Sequence, residues 1–439
     1  MKNRISTLLT LMLICVSGGP AYSQSSAAIE RAKFELEQLA GQLLRVEKEA
    51  RAEIERAVAE QVNTAPKGEF ETTKEYEARR TKADKLRQQI EERINRQKNA
   101  RKEDLNRRLN QILTMEFSQP FEARLGVYDA DRERFPLLIQ PDSREALLVP
   151  RLEARELKEN FSRAEKSGIF GLHLDAENHA GEYLLAGRVS YRGRTYPLEN
   201  RAMSVARAMY MLYGNYNPAN NRAKWRAEAD PWGESDEEYQ ALEAIPIFSK
   251  SFRENNRNKF ILLTGSVAEG EKEFDGCHAC GVKIGMAVFS QKESGWKLET
   301  GQKDVGTYGA YGIPPQASLI KIGVDRYALI FSSGDMHQGV TDEAVDYIDR
   351  VDGIFKEILS LNTAEDTSGA GTFGTPEDNI SFDSRIDYIP GNNPAHFDIK
   401  VTTRGRRGAR AGRRLIMRPF VEVKIYRFAD GAYKLSAQR

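Results

Sequence analysis

The residues best placed to do chemistry are Cys277-His278-Ala279-Cys280. A cysteine pair at this spacing can be a redox couple, a haem attachment, half of a zinc site or a disulfide. A redox pair normally opens a helix, whose N-terminus stabilises the thiolate. Here Val282, Ile284, Met286 and Val288 alternate behind it, which predicts a strand. Haem attachment needs histidine directly after the second cysteine, and Gly281 stands there. Zinc needs four ligands, and His278 is the one further candidate nearby. A disulfide between Cys277 and Cys280, pinning a hairpin, is the reading the surroundings favour.

The second group is Arg404, Arg406, Arg407, Arg410, Arg413 and Arg414, interleaved with Gly405, Gly408 and Gly412. Guanidinium forks match anionic oxygens, so a mobile arginine loop between two strands could wrap a polyanion. The bland alternative is a solvated loop with no ligand. In a cell envelope the polyanion would be anionic lipid or glycan rather than nucleic acid.

Other constellations fail on inspection. Asp129, Asp131 and Glu133 resemble the start of a calcium loop, but Arg134 occupies the position that needs glycine and Gln140 the position of the distal glutamate. His173 and His179 have no third ligand close in sequence, so no metal and no cofactor is expected. Asp335 and His337 lack an assignable nucleophile, and no Gly-x-Ser-x-Gly, phosphate loop or His-Glu-x-x-His occurs. A non-enzymatic protein is therefore expected before a hydrolase of the envelope.

The compartment is read from the first residues. Lys2 and Arg4 precede a short apolar run, and Ala21-Tyr22-Ser23 offers small residues at a signal-peptidase site, so residues 1–23 are expected to be a cleaved signal peptide. The run is shorter than the roughly 20 residues a transmembrane helix needs. Cys15 would leave with the peptide. The mature chain is expected in the periplasm or outside the cell, with no transmembrane segment. A net charge of +1, with 29% of residues charged, argues against a whole-protein electrostatic partner.

These groups need a scaffold, and its periods change along the chain. Residues 24–117 read as helical, a coiled coil or hairpin. One heptad register places Ile29, Leu36, Leu43, Ala50 and Ala57 at a, and Ala32, Leu39 and Val46 at d, with Glu53 and Glu60 failing at d. Pro66 and Gly68 break this rod, and Thr72 with Glu75 has capping-box spacing for a second helix. The first helix is acidic and the second basic, which suits an antiparallel hairpin; the rod could equally pair with a second copy or another envelope protein.

Residues 118–200 alternate in short strands around one helix after Pro150, a small α+β unit. Residues 201–245 form an aromatic-rich connection carrying Tyr210, Tyr213, Tyr216, Trp225 and Trp232. From 246 to 439 a strand–turn–strand ending recurs at Trp296, Phe355 and Tyr433, each an aromatic after a Gly turn and followed by Lys. The expected fold is multidomain α+β with C-terminal antiparallel β-meander repeats, propeller-like or a sandwich. The expected function is an exported non-enzymatic envelope scaffold acting through its coiled coil and β surface. The alternative is an anionic glycan- or lipid-binding module using the arginines.

Overall fold

The computed structural model describes residues 22–139, 143–199, 202–228, 239–271, 274, 281–292, 295–370, 375–411 and 414–438. It opens with α1 (Tyr22–Leu43), α2 (Val46–Gln61) and α3 (Thr73–Leu113). Thr72 and Glu75 form the expected capping box, each side chain meeting the other's backbone N–H. Helix α3 runs antiparallel to the first two. Glu47 on α2 accepts from Lys98 at 2.8 Å and Lys102 at 3.1 Å, and Glu35 on α1 lies 3.5 Å from Arg108.

Seven of the eight register residues are buried, and Leu43 is half-buried. Ala50 and Ala57 pack with Ile90 and Ile94 in a seam between α2 and α3, while Glu53 and Glu60 stay exposed. The residues ahead of the Pro66–Gly68 break do not form one continuous helix, since a turn at residues 44–45 divides them. The reason is tertiary. Ile29, Ala32, Leu36 and Leu39 lie on the β-strands of the next unit, whereas α2 beyond Val46 packs mainly on α3.

That next unit has two small sheets. One is formed by β1 (Phe117–Pro120), β5 (Glu165–Leu174), β6 (Ala180–Tyr191) and β7 (Arg194–Pro197). The other is β2 (Ala123–Leu125), β3 (Arg134–Ile139) and β4 (Ser143–Leu148). Helix α4 (Arg151–Glu159) begins after Pro150 and buries Ala154 and Leu157 against Phe135, Leu137 and Leu147.

The aromatic-rich stretch is more ordered than its composition suggests. Helix α5 (Val205–Tyr213) starts at a Ser204 cap and ends at left-handed Gly214. Strand β8 (Ala223–Glu228) then opens a five-stranded antiparallel sheet with β9 (Tyr239–Glu254), β10 (Arg257–Ala268), β11 (Val282–Lys292) and β12 (Gly295–Tyr308). Tyr213 and Trp225 are buried between this sheet and the helices. Trp232 lies outside the described residues.

Eight further strands follow in consecutive order: β13 (Gln316–Gly323), β14 (Arg326–His337), β15 (Val340–Val351), β16 (Ile354–Asp366), β17 (Ile380–Ile389), β18 (Asp398–Ala411), β19 (Arg414–Ala429) and β20 (Ala432–Gln438). The recurring endings are the hairpins β11–β12, β15–β16 and β19–β20. Asp352-Gly353 and Asp430-Gly431 both have positive φ at each residue, the geometry that matches strand twist in a two-residue turn. The first ending belongs to the five-stranded sheet and the other two to the eight-stranded one, so the repeats are hairpins within two sheets.

Alternation assigns the layers. Leu262, Ala287 and Phe289 face the helices, while Ile261, Leu263, Ile284 and Val288 face Leu329, Phe331 and Ile348 of the second sheet. Being covered on both sides makes β10 and β11 read as nearly continuous apolar runs. The reverse face of β14 and β15, with Ala328, Ile330 and Tyr347, packs on Ile399, Val401 and Tyr433. The long sheet therefore curls over itself. Strands β16 and β17 pair at only three residues, 364–366 with 381–383, and then part. Two backbone bonds close the far side, Phe397 N–H to Ile322 O at 2.6 Å and Val324 N–H to Pro394 O at 2.8 Å.

Candidate functional site

Arg404, Arg406, Arg407 and Arg410 do not sit on a loop. Residues 404–410 belong to β18, paired on one side with β17 and on the other with β19. The glycines among them mark close backbone approaches. A Cβ at Gly405 would stand 2.2 Å from Ser381 O, and one at Gly408 would stand 2.0 Å from Pro376 O, where a short turn over residues 376–378 crosses the strand. Gly in this pattern reports crowding rather than mobility.

Residues opposite each other in an antiparallel ladder share a face. Arg404 is opposite Val421, Arg406 opposite Pro419 and Arg410 opposite Leu415, with Met417 opposite Gly408. One face of this hairpin thus carries arginines beside an apolar row, with the 376–378 turn lying over Gly408 between Arg406 and Arg410. Val421 is 63% exposed, Met417 40% and Leu415 37%. Arg404, Arg406 and Arg410 are exposed and have no hydrogen-bond or ion-pair partner among the described residues. Asp383 is the cross-strand neighbour of Arg404 on β17 without pairing to it, and the Asp378 carboxylate instead caps Thr375 N–H at 2.6 Å.

The reverse face carries Arg407 opposite Arg418. The Arg407 guanidinium lies 4.8 Å from the ring centre of Phe420, so its planar group is held flat on an aromatic surface. Between residues 398 and 429 there are ten basic and two acidic residues, an excess of eight on a chain whose total is +1. In sequence the charge is concentrated on this one hairpin.

The other candidate residues divide as follows. Cys277 and Cys280 lie outside the described residues, as do Arg413, the side chain of Arg414, and Gln140. The Asp129 carboxylate accepts from the backbone N–H of Asp131 and Arg132, an ordinary turn closing β3. His179 lies 3.7 Å from Asp175 at the β5–β6 turn. His173 is buried between Gly181 and Gly214, where added Cβ atoms would come within 2.3 and 2.1 Å of its ring. Burial, reinforced by the nearby Lys303 charge, lowers its pKa to about 4. No group of three metal-ligating side chains occurs among the described residues.

Two features escaped the sequence. One is a crevice between residues 309–316 and strands β14–β16. The other is a buried ionic network in which Glu254, Lys259, Glu299 and Arg350 join the two sheets. A Gly-Pro-rich stretch, Gly309-Ala310-Tyr311-Gly312-Ile313-Pro314-Pro315, signalled the first. Nothing in the local pattern signalled the second, because its members come from four separate strands.

No family model, no curated protein and no solved structure matches the chain. Among the described residues no helix is long and apolar enough to cross a membrane.

Proposed function

We propose that the chain is an exported, non-enzymatic envelope protein that docks on an anionic lipid surface through the β18–β19 hairpin. The observation that carries this reading is the paired rows on one face, arginines at 404, 406 and 410 beside Leu415, Met417, Pro419 and Val421. Basic groups near an anionic bilayer contribute about 1 kcal/mol each. Apolar side chains in the adjoining row can enter the headgroup boundary while the guanidinium groups hold phosphates. A soluble polyanion would use the charges but leave the apolar row uncovered. The helical layer and the doubly covered sheet would serve as the rigid body that carries this element. Export rests on the residue pattern of 1–23.

The test is a full-length variant with Arg404, Arg406 and Arg410 replaced by serine. Its retention on phosphatidylglycerol-containing vesicles should fall by roughly a hundredfold, taking about 1 kcal/mol per arginine. Unchanged retention would rule the hairpin out as the docking element.

A further inference from the structure

We propose that the crevice beside residues 309–316 binds one or two rings of a neutral glycan. Its volume is about 390 Å³, within the lower part of the roughly 300–1,000 Å³ span of small-molecule sites. It is independent of the arginine hairpin and of the docking function proposed for that element.

One wall is a loop held in strained geometry. Gly309, Tyr311 and Gly312 all have positive φ, at 86°, 56° and 68°. For tyrosine this left-handed conformation is unfavourable and persists only where the surroundings enforce it, a condition common at ligand clamps. The enforcement is visible. Ile313 N–H donates to Ala310 O at 2.8 Å, and the Tyr311 hydroxyl donates to Met336 O at 3.0 Å. A Cβ on Gly309 would stand 2.0 Å from Ile313 O, so no other residue fits there.

The opposite wall is polar. In register across three strands, Gln316 stands beside Ser332 and Ser332 beside Val345, with Gly334 beside Glu343. Thr363 closes the far end, its hydroxyl donating to Glu343 O at 3.2 Å.

The chemistry of the lining selects the ligand. Among the described residues no lysine or arginine lines the crevice and Glu343 is its one carboxylate, so a phosphate or carboxylate ligand would meet repulsion without a counter-charge. A wholly apolar ligand would strand the serines, Gln316 and Glu343 without water. A neutral sugar satisfies both walls. Its hydroxyls donate to the Glu343 carboxylate and exchange hydrogen bonds with serine hydroxyls and the glutamine amide. Its C–H faces rest on Tyr311 and the Pro314-Pro315 surface.

The experiment titrates the full chain with chitotriose, cellotriose and maltotriose, using saturation-transfer NMR to detect binding and calorimetry to measure it. At least one trisaccharide should bind. Glu343→Lys, on an exposed strand position that leaves the fold intact, should weaken that binding about tenfold or more, the scale of a lost hydrogen bond to a charged group. Glu47→Gln, on the helical hairpin away from the crevice, should bind as the parent chain does. The proposal is overturned if none of the three binds at millimolar concentration, or if Glu343→Lys binds as tightly as the parent.

Discussion

Arg350 at the end of β15 meets both carboxylate oxygens of Glu254 at the end of β9, each at 2.7 Å, and so ties the eight-stranded sheet to the five-stranded one. Lys259 reaches the same carboxylate at 2.5 Å, and Glu299 bridges Lys259 at 2.9 Å and Arg350 at 3.2 Å. Burial by itself would raise the Glu254 carboxyl, but the Arg350 and Lys259 charges outweigh it and hold the group below its ordinary value. Next to Arg350, Asp349 is paired with Arg326 at 2.8 Å and with His396 at 3.3 Å.

Removing Arg350 leaves the buried Glu254 carboxylate with Lys259 as its remaining counter-charge. Arg350→Met is expected to lower stability by about 3 kcal/mol, the low end for a broken buried pair. Arg427→Met is the control, because Arg427 pairs with Asp398 at 3.0 Å on the surface and should matter by about 0–1 kcal/mol. Urea midpoints of the two variants should differ clearly. Equal midpoints would show that the network is not a determinant of sheet docking.

His173 predicts a pH dependence. Its folded pKa is about 4 against an ordinary 6.5. Between these values the unfolded chain binds a proton that the folded chain refuses, so stability is complete above pH 6.5 and is lost as pH falls towards 4. The loss is on the order of 3 kcal/mol if the whole shift is expressed. His173→Leu should flatten the slope of urea midpoint against pH in this window. A slope identical to that of the parent would remove His173 from the account.

Gly214 and His173 should be coupled. A Cβ at Gly214 would press on the His173 ring, and its φ of 73° is strained for any other residue. Gly214→Ala is expected to cost about 1–2 kcal/mol from the backbone, with the clash in addition. Combining it with His173→Ala should relieve the clash but not the backbone strain. The double-mutant cycle should therefore show a coupling of roughly 0.5–3 kcal/mol. Strict additivity would place the two residues out of contact.

In the helical hairpin, packing and not charge should dominate. Ile94, 1% exposed, seals the α2–α3 seam. Ile94→Ala is expected to destabilise by about 2–5 kcal/mol. Glu47→Gln breaks two partly exposed ion pairs with Lys98 and Lys102 and should matter by about 0–1 kcal/mol. Circular dichroism melts of both variants decide it, and a larger effect at Glu47 would reverse the argument.

What was legible in the sequence was what depends on near neighbours. The heptad register picked out Ala50, Ala57, Leu36 and Leu39, all buried, because a helix presents one face every few residues. The Thr72–Glu75 cap and the Asp-Gly hairpins were legible for the same reason. The break at 44–45 was not, since it is set by strands more than 70 residues further along the chain. The arginines are expected on a loop, whereas Arg404, Arg406, Arg407 and Arg410 lie in β18. Their glycines suggested mobility, whereas Gly405 and Gly408 answer to Ser381 and Pro376 on neighbouring segments. Pairing Arg404 with Val421, or Glu254 with Arg350, requires the register between strands, which no local pattern carries.

The most direct test of the docking function is partition of the full chain between buffer and vesicles as salt is raised. Raising salt from about 0.01 M to about 1 M shortens the Debye length from about 30 Å to about 3 Å. Binding to phosphatidylglycerol-containing vesicles should be strong at the low end and fall steeply across this range. Binding to phosphatidylcholine vesicles should be weak throughout. Equal partition onto both vesicle types, or no partition onto the anionic one at low salt, would contradict the account.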